Sequence, residues 1–228
     1  VAILGTTISP YLFFWQAAQE VEEGRRRHIK PLMTAPYRAK SEISRIRLDT
    51  LIGMAVSSLV GIAIIFATAA TLHANGITHI ETSAQAAQAL LPIAGEFAFA
   101  LFALGIIGTG LLAVPVLAGA AAYAVSEVFG WTESLEARPS EARAFYTTIA
   151  VATLGGVALT FIGLNAVRAL YWAAVVNGVL AAPVMAVMML IARNKAAMGG
   201  MVLSRGLTIG GWLATAVMAT ASVLFFVI

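Results

Sequence analysis

The chain has 228 residues, of which 60% are hydrophobic and only 11% are charged. Soluble domains carry about a quarter charged residues, so a water-soluble globular domain is excluded. The sequence contains no cysteine, which excludes disulfides, thiolate metal sites and a cysteine nucleophile. The net charge of +3 does not indicate nucleic-acid binding. Eight of the 14 lysines and arginines lie in one connector, residues 19–49, whose single Phe, Trp or Tyr residue is Tyr37, so the interleaving of aromatic and basic residues typical of a single-strand binder is lacking.

Long apolar blocks predict the secondary structure. Several reach about 18 residues, the length that a helix needs to cross a hydrocarbon core of about 30 Å. The sequence therefore predicts an all-α transmembrane helix bundle. Asp49 is expected to cap the second helix, and the third, about 48 Å long, is expected to tilt, to kink at Pro115 or to protrude. The prediction is one broken helix over residues 1–23 and five full spans near 50–72, 97–128, 146–163, 169–192 and 206–228.

The stretch GTTISPYLFFWQ, residues 5–16, predicts the break in the first helix. Proline removes a backbone donor and clashes with the preceding turn, and the Gly, Thr and Ser residues before it lower helix propensity. Carbonyls freed at membrane depth are tolerated only where they are buried or line a wet cavity. In secondary transporters such breaks form the ion or substrate site. From these residues alone, an ordinary proline kink with hydroxyls bonded back to the helix is an equal alternative.

The connectors alternate in positive charge. Thirteen lysines and arginines lie in connectors 19–49, 129–145 and 193–205, against one in 164–168 and none in 74–96. Because cytoplasmic loops carry the excess of positive charge, residues 19–49 are predicted to be cytoplasmic and the C-terminus external. The expected location is the plasma (inner) membrane, as an integral multi-pass protein.

Two segments fall outside the full spans. Residues 80–91 are too short and too polar to cross the bilayer, and the helical spacing of their apolar residues predicts a short helix along the outer surface. The apolar run before Pro10 has only nine residues and the chain starts with Val1. We therefore expect further membrane-embedded helices upstream.

Three stretches resemble the Nramp divalent-metal transporters, in that family's order and spacing. Gly5-Thr6-Thr7-Ile8-Ser9-Pro10-Tyr11 lies where the family's sixth helix has a Gly-Ala…Met-Pro-His break. Arg47-Leu48-Asp49-Thr50 resembles the basic-x-Asp-Thr opening of the next helix, and residues 87–107 resemble the entry to the eighth. The resemblance implies a LeuT-type inverted-repeat fold, of which this chain holds the second repeat plus one extra helix. It also implies a partner, since the first repeat, with half of the metal site, must come from N-terminal helices of the same protein.

The resemblance further implies the residues of an ion site. The family's carbonyl-donating Ala falls on Thr6 and its Met falls on Ser9, so the implied metal ligands are the Thr6 carbonyl and the Ser9 hydroxyl or carbonyl. Thr7, Tyr11 and Gln16 would line the ion path, the last two at positions where the family has histidine. Serine in place of methionine implies hard ions such as Mg²⁺ or Mn²⁺, as in the Nramp-related branch that lacks the methionine. With both histidines replaced, proton coupling stays open.

Asn177 lies within the fifth span, where a buried amide needs partners. It is interpreted either as an interhelical hydrogen-bonding residue or as part of the site, because the family's Gln falls two residues away, on Val175.

The resulting hypothesis is a secondary active transporter of divalent metal cations that exposes the ion alternately to each side of the lipid bilayer. A carrier of organic solutes such as amino acids, with the same fold, and a non-transporting membrane subunit stay open as alternatives. An enzyme is not predicted, since no Ser/His/Asp grouping, phosphate-binding loop or dinucleotide motif occurs in the sequence. No cofactor is expected beyond the transported ion.

Overall fold

The computed structural model describes residues 1–32 and 34–227, and the regular structure of these residues is helical. The helices are α1 Ala2–Thr7, α2 Pro10–Arg26, α3 Ala39–Thr71, α4 Ser83–Ala87, α5 Leu91–Ala94, α6 Ala98–Phe129, α7 Arg143–Phe161, α8 Ala166–Arg193, α9 Lys195–Met198 and α10 Arg205–Val227.

Five helices of the described residues are long and apolar enough to cross a membrane: α3, α6, α7, α8 and α10. The last four begin and end within three residues of the predicted spans. Helix α6 accommodates Pro115 without interruption and ends at Phe129, because the following Gly130 has a positive φ of 65°. The chain is an all-α transmembrane helix bundle, and the protein is an integral, multi-pass membrane protein.

Helix α3 differs from the prediction, because it begins at Ala39, well before residue 50. Asp49 therefore lies inside the helix and does not cap it. The additional turns, residues 39–48, are polar but contain good helix formers, and Arg38 and Glu42 form an i,i+4 ion pair at 3.8 Å. A search for apolar residues detects only the membrane-crossing part of such a helix, so the earlier start could not be found that way.

The segment predicted as a short helix over residues 80–91 is helical from Ser83 onward. Its start is fixed by a capping box, in which the Thr82 hydroxyl accepts from the Gln85 backbone N–H at 3.2 Å and the Gln85 side chain accepts from the Thr82 backbone N–H at 3.2 Å. The Asn165 side chain donates to the Glu81 carbonyl at 2.9 Å, which ties the segment to the start of α8.

The chain forms two compact units, one of Val1–Glu42 with the residues from Leu170 on, and one of Ile43–Ala169. In the first unit a small apolar core joins α8 and α10, and the residues around the end of α1 pack against it. The core consists of Ala181, Ala182 and Met218, with Leu4, Ile8, Met185 and Ala219 packed against it.

In the second unit α6 packs against α7 through aromatic side chains. Tyr123 and the fully buried Phe145 meet edge to face, with ring centroids 4.9 Å apart. The Tyr123 hydroxyl accepts from the Leu135 N–H at 3.2 Å, and the Tyr146 hydroxyl lies 3.0 Å from the carbonyls of Leu135 and Ala137. These bonds hold the connector between α6 and α7 against the ends of both helices.

Candidate functional site

The first helix is interrupted between Thr7 and Pro10. Ile8 and Ser9 have extended backbone angles, with φ/ψ of −110°/86° and −96°/109°. Pro10 occupies the first position of α2, where its missing N–H is tolerated. Because a continuous helix would use that N–H to bond the carbonyl four residues earlier, the Thr6 carbonyl loses its helical donor.

The hydroxyl groups around the interruption bond back to the backbone. Thr6 and Thr7 donate to the carbonyls of Ala2 and Ile3, each at 2.9 Å, and both side chains are exposed. Ser9 is only 5% exposed, and its hydroxyl oxygen lies 3.3 Å from the carbonyl oxygens of both Gly5 and Thr6. A serine hydroxyl has one proton and two lone pairs, so donation to a carbonyl leaves its oxygen able to accept or to coordinate.

The separation of the Ser9 hydroxyl and Thr6 carbonyl oxygens fits two ligands of one ion. Oxygens that each lie about 2.1–2.4 Å from a hard cation, about 90° apart, are separated by about 3.0–3.4 Å. The observed 3.3 Å falls in that range, and it is also the length of the hydrogen bond that the Ser9 hydroxyl donates to the Thr6 carbonyl. The interruption thus places the two implied ligands next to each other.

A glycine contact between α1 and α8 supports this region from one side. A Cβ on Gly5 would overlap the Ala174 carbonyl oxygen and would lie 2.5 Å from the Gly178 nitrogen. A Cβ on Gly178 would lie 2.8 Å from a methyl group of Val1. The two backbones therefore touch directly, as small residues permit in membrane helix pairs.

Helix α10 also contacts α8 at Gly178, through the side chain of Ser222. The Ser222 hydroxyl lies 2.9 Å from the Met218 carbonyl and 3.3 Å from the Gly178 carbonyl. Gly5, Gly178 and Ser222 were not among the predicted site residues. The sequence signal for them was weak, because single small residues in apolar helices are common and their partners are set by tertiary packing.

The predicted path residues are not gathered at one point. Tyr11 is half-buried and Gln16 is exposed, and five residues of helix place them about 140° apart around α2. Asn177 is half-buried, directly before Gly178 at the contact with α1, whereas Val175 is 3% exposed. The amide position that the family resemblance placed on Val175 is therefore a buried apolar side chain, and Asn177 is the nearby polar residue of α8.

Gln19 is a further polar residue on α2 that the sequence analysis did not select. Its side-chain nitrogen is buried and has no hydrogen-bond partner among the described residues. It lies three residues after Gln16 and so shares one side of the helix with it. The two amides extend the polar side of α2 away from the interruption.

No three His, Cys, Asp or Glu residues lie together as a metal-binding group in the described ranges 1–32 and 34–227. The donors at the interruption are neutral oxygens from the backbone and from Ser9. Neutral oxygens suit hard cations, which retain part of their hydration shell.

Comparison with known proteins identifies the same family that the sequence motifs resemble. The family described as Nramp, natural resistance-associated macrophage protein-like, matches residues 1–228. The divalent metal cation transporter MntH of Deinococcus radiodurans is 28% identical over 122 residues, which cover 52% of this chain and 26% of that protein. A protein of the same name from Aeromonas hydrophila subsp. hydrophila is 26% identical over 109 residues, 48% of this chain and 24% of that protein. The aligned part thus spans about a quarter of each relative.

Proposed function

Since the chain belongs to the Nramp family, we propose that it forms part of a secondary active transporter of divalent metal cations, with no enzymatic activity. The observation that carries this proposal is the interruption between α1 and α2, where the Ser9 hydroxyl and the Thr6 carbonyl lie 3.3 Å apart. The name of both relatives, divalent metal cation transporter, supports the same substrate class.

The proposed site binds a partly hydrated ion through the Thr6 carbonyl and the Ser9 hydroxyl. Both donors are hard oxygens, so Mg²⁺ or Mn²⁺ is favoured over softer ions. Two neutral ligands do not balance a divalent charge in a membrane, so the remaining ligands, including anionic ones, come from other helices of the protein. Thr7, Tyr11, Gln16 and Asn177 are proposed to line the path of the ion.

We further propose that the protein spans the plasma (inner) membrane and that residues 19–49 lie on its cytoplasmic side. This orientation rests on the thirteen-to-one distribution of positive charges between alternate connectors. Single cysteines at Ser41 and Thr78, both exposed, test it in a cysteine-free background. A membrane-impermeant thiol reagent should label position 78 in intact cells and position 41 only after lysis. Labelling of position 41 in intact cells would show that the protein has the opposite orientation.

The function is tested by flux into proteoliposomes containing the natural full-length protein. Saturable uptake of Mn²⁺ or Mg²⁺ is expected, with no uptake of amino acids. Uptake of an amino acid without metal would replace the proposal by an organic-solute carrier, and absence of both fluxes in correctly folded protein would favour a non-transporting subunit.

A further inference from the structure

We propose that the connector between α8 and α10 binds the phosphate group of an anionic phospholipid. A cleft of about 280 Å³ at this connector is lined by Arg193, Leu203, Arg205, Thr208 and Ile209. All five residues belong to the first compact unit. The proposal depends on membrane embedding and does not depend on which substrate the protein carries.

The connector brings two arginines to one cleft. Arg193 is the last residue of α8 and Arg205 is the first of α10. The chain between them folds back on itself, since the Leu203 N–H donates to the Ala192 carbonyl at 3.3 Å. Two guanidinium groups that line one cleft can each form paired hydrogen bonds with phosphate oxygens.

This positive charge has no counter-charge nearby in the chain. From Ala142 to the end, the sequence contains no Asp or Glu but five cationic residues, Arg143, Arg168, Arg193, Lys195 and Arg205. Within the described part of the chain, neither Arg193 nor Arg205 forms an ion pair. An anion that neutralises the cleft must therefore come from outside this half of the chain.

The position of the cleft favours a lipid as the source of that anion. Helices α8 and α10 both have the length and composition of membrane spans, so their adjoining ends lie at the level of the headgroups. Leu203 and the 70% exposed Ile209 place apolar surface beside the two arginines. A phospholipid presents the same combination, a phosphate at the interface with acyl chains directly below it. In the proposed orientation the cleft faces the cytoplasmic leaflet, where anionic lipids attract arginine and lysine.

Native mass spectrometry of the natural full-length protein tests the proposal, with phosphatidylglycerol and phosphatidylcholine as probes. Phosphatidylglycerol should be retained preferentially. Arg193→Gln and Arg205→Gln should each weaken its retention about fivefold, because each removes a guanidinium group that forms paired hydrogen bonds with the phosphate oxygens. Lys195→Gln is the matched control, because Lys195 has the same charge on the same connector but does not line the cleft. This variant should retain phosphatidylglycerol as well as wild type does.

Both arginines are exposed, so their glutamine variants should fold, and equal elution and melting temperatures would verify that. Equal retention of the two lipids, or equal weakening in all three variants, would show only diffuse attraction and overturn the proposal. Displacement of phosphatidylglycerol by millimolar inorganic phosphate would assign the cleft to a free phosphate instead of a lipid.

Discussion

Gly5→Ala should destabilise the protein by about 1–3 kcal/mol, the usual effect of overpacking a close contact, and should abolish transport. The new methyl group would overlap the Ala174 carbonyl oxygen and the backbone of Gly178. These are backbone atoms of a helix and cannot turn aside as a flexible side chain can. To relieve the overlap, α1 must move away from α8 and displace the Thr6 and Ser9 oxygens.

The matched control is Gly24→Ala on α2. No atom lies within 4 Å of a Cβ built at Gly24, so the added methyl group meets open space. Alanine is favoured over glycine inside a helix by about 1 kcal/mol, and this variant should be as stable as wild type or slightly more so. Thermal unfolding and ion uptake of the full-length variants measure both effects. If Gly5→Ala melts and transports like Gly24→Ala, the glycine contact has no role in holding the interruption.

Ser9→Met should shift the ion preference from hard to soft ions by about tenfold or more, the change produced by about 1.4 kcal/mol of differential binding. A thioether sulfur coordinates Cd²⁺ or Fe²⁺ well and Mg²⁺ poorly, whereas a hydroxyl oxygen has the opposite preference. Competition between Mn²⁺ and Cd²⁺ in uptake by the full-length protein measures the ratio.

The control for this substitution is Ser9→Leu, since leucine and methionine are similar in volume. Ser9 is 5% exposed, so either side chain will disturb the packing, but only methionine adds a ligand. Ser9→Leu should lose affinity for both ions. An unchanged ion ranking in Ser9→Met, or the same loss in both variants, would return Ser9 to a hydroxyl that only bonds to its own backbone.

Much of the helical architecture follows from local properties of the sequence. The ends of α6, α7, α8 and α10 lie where the apolar blocks end, and the interruption lies next to Pro10, because proline acts on the turn that precedes it. The start of α3 could not be predicted in this way. Its first turns are polar, and a helix that continues beyond the hydrocarbon gives no hydropathy signal.

The surroundings of the interruption depend on tertiary contacts that no local pattern specifies. Gly5 was considered for its low helix propensity, and its contact with Gly178 appears only when α1 and α8 are placed together. The same holds for Ser222, whose hydroxyl reaches the Gly178 carbonyl across 44 residues of sequence. Such pairings are set by the packing of distant helices, so the family resemblance could suggest the ligands but not what holds them.

Divalent-ion flux through full-length wild type and Pro10→Ala most directly tests the claim that the interrupted helix forms the ion site. Alanine restores an N–H that can bond the Thr6 carbonyl and close the helix, so Mn²⁺ uptake should fall by at least about tenfold. Pro115→Ala is the control, because it restores an N–H within α6, which already continues through Pro115, and its uptake should equal that of wild type. Wild-type-like Mn²⁺ uptake by folded Pro10→Ala would contradict the assignment of the site to this interruption.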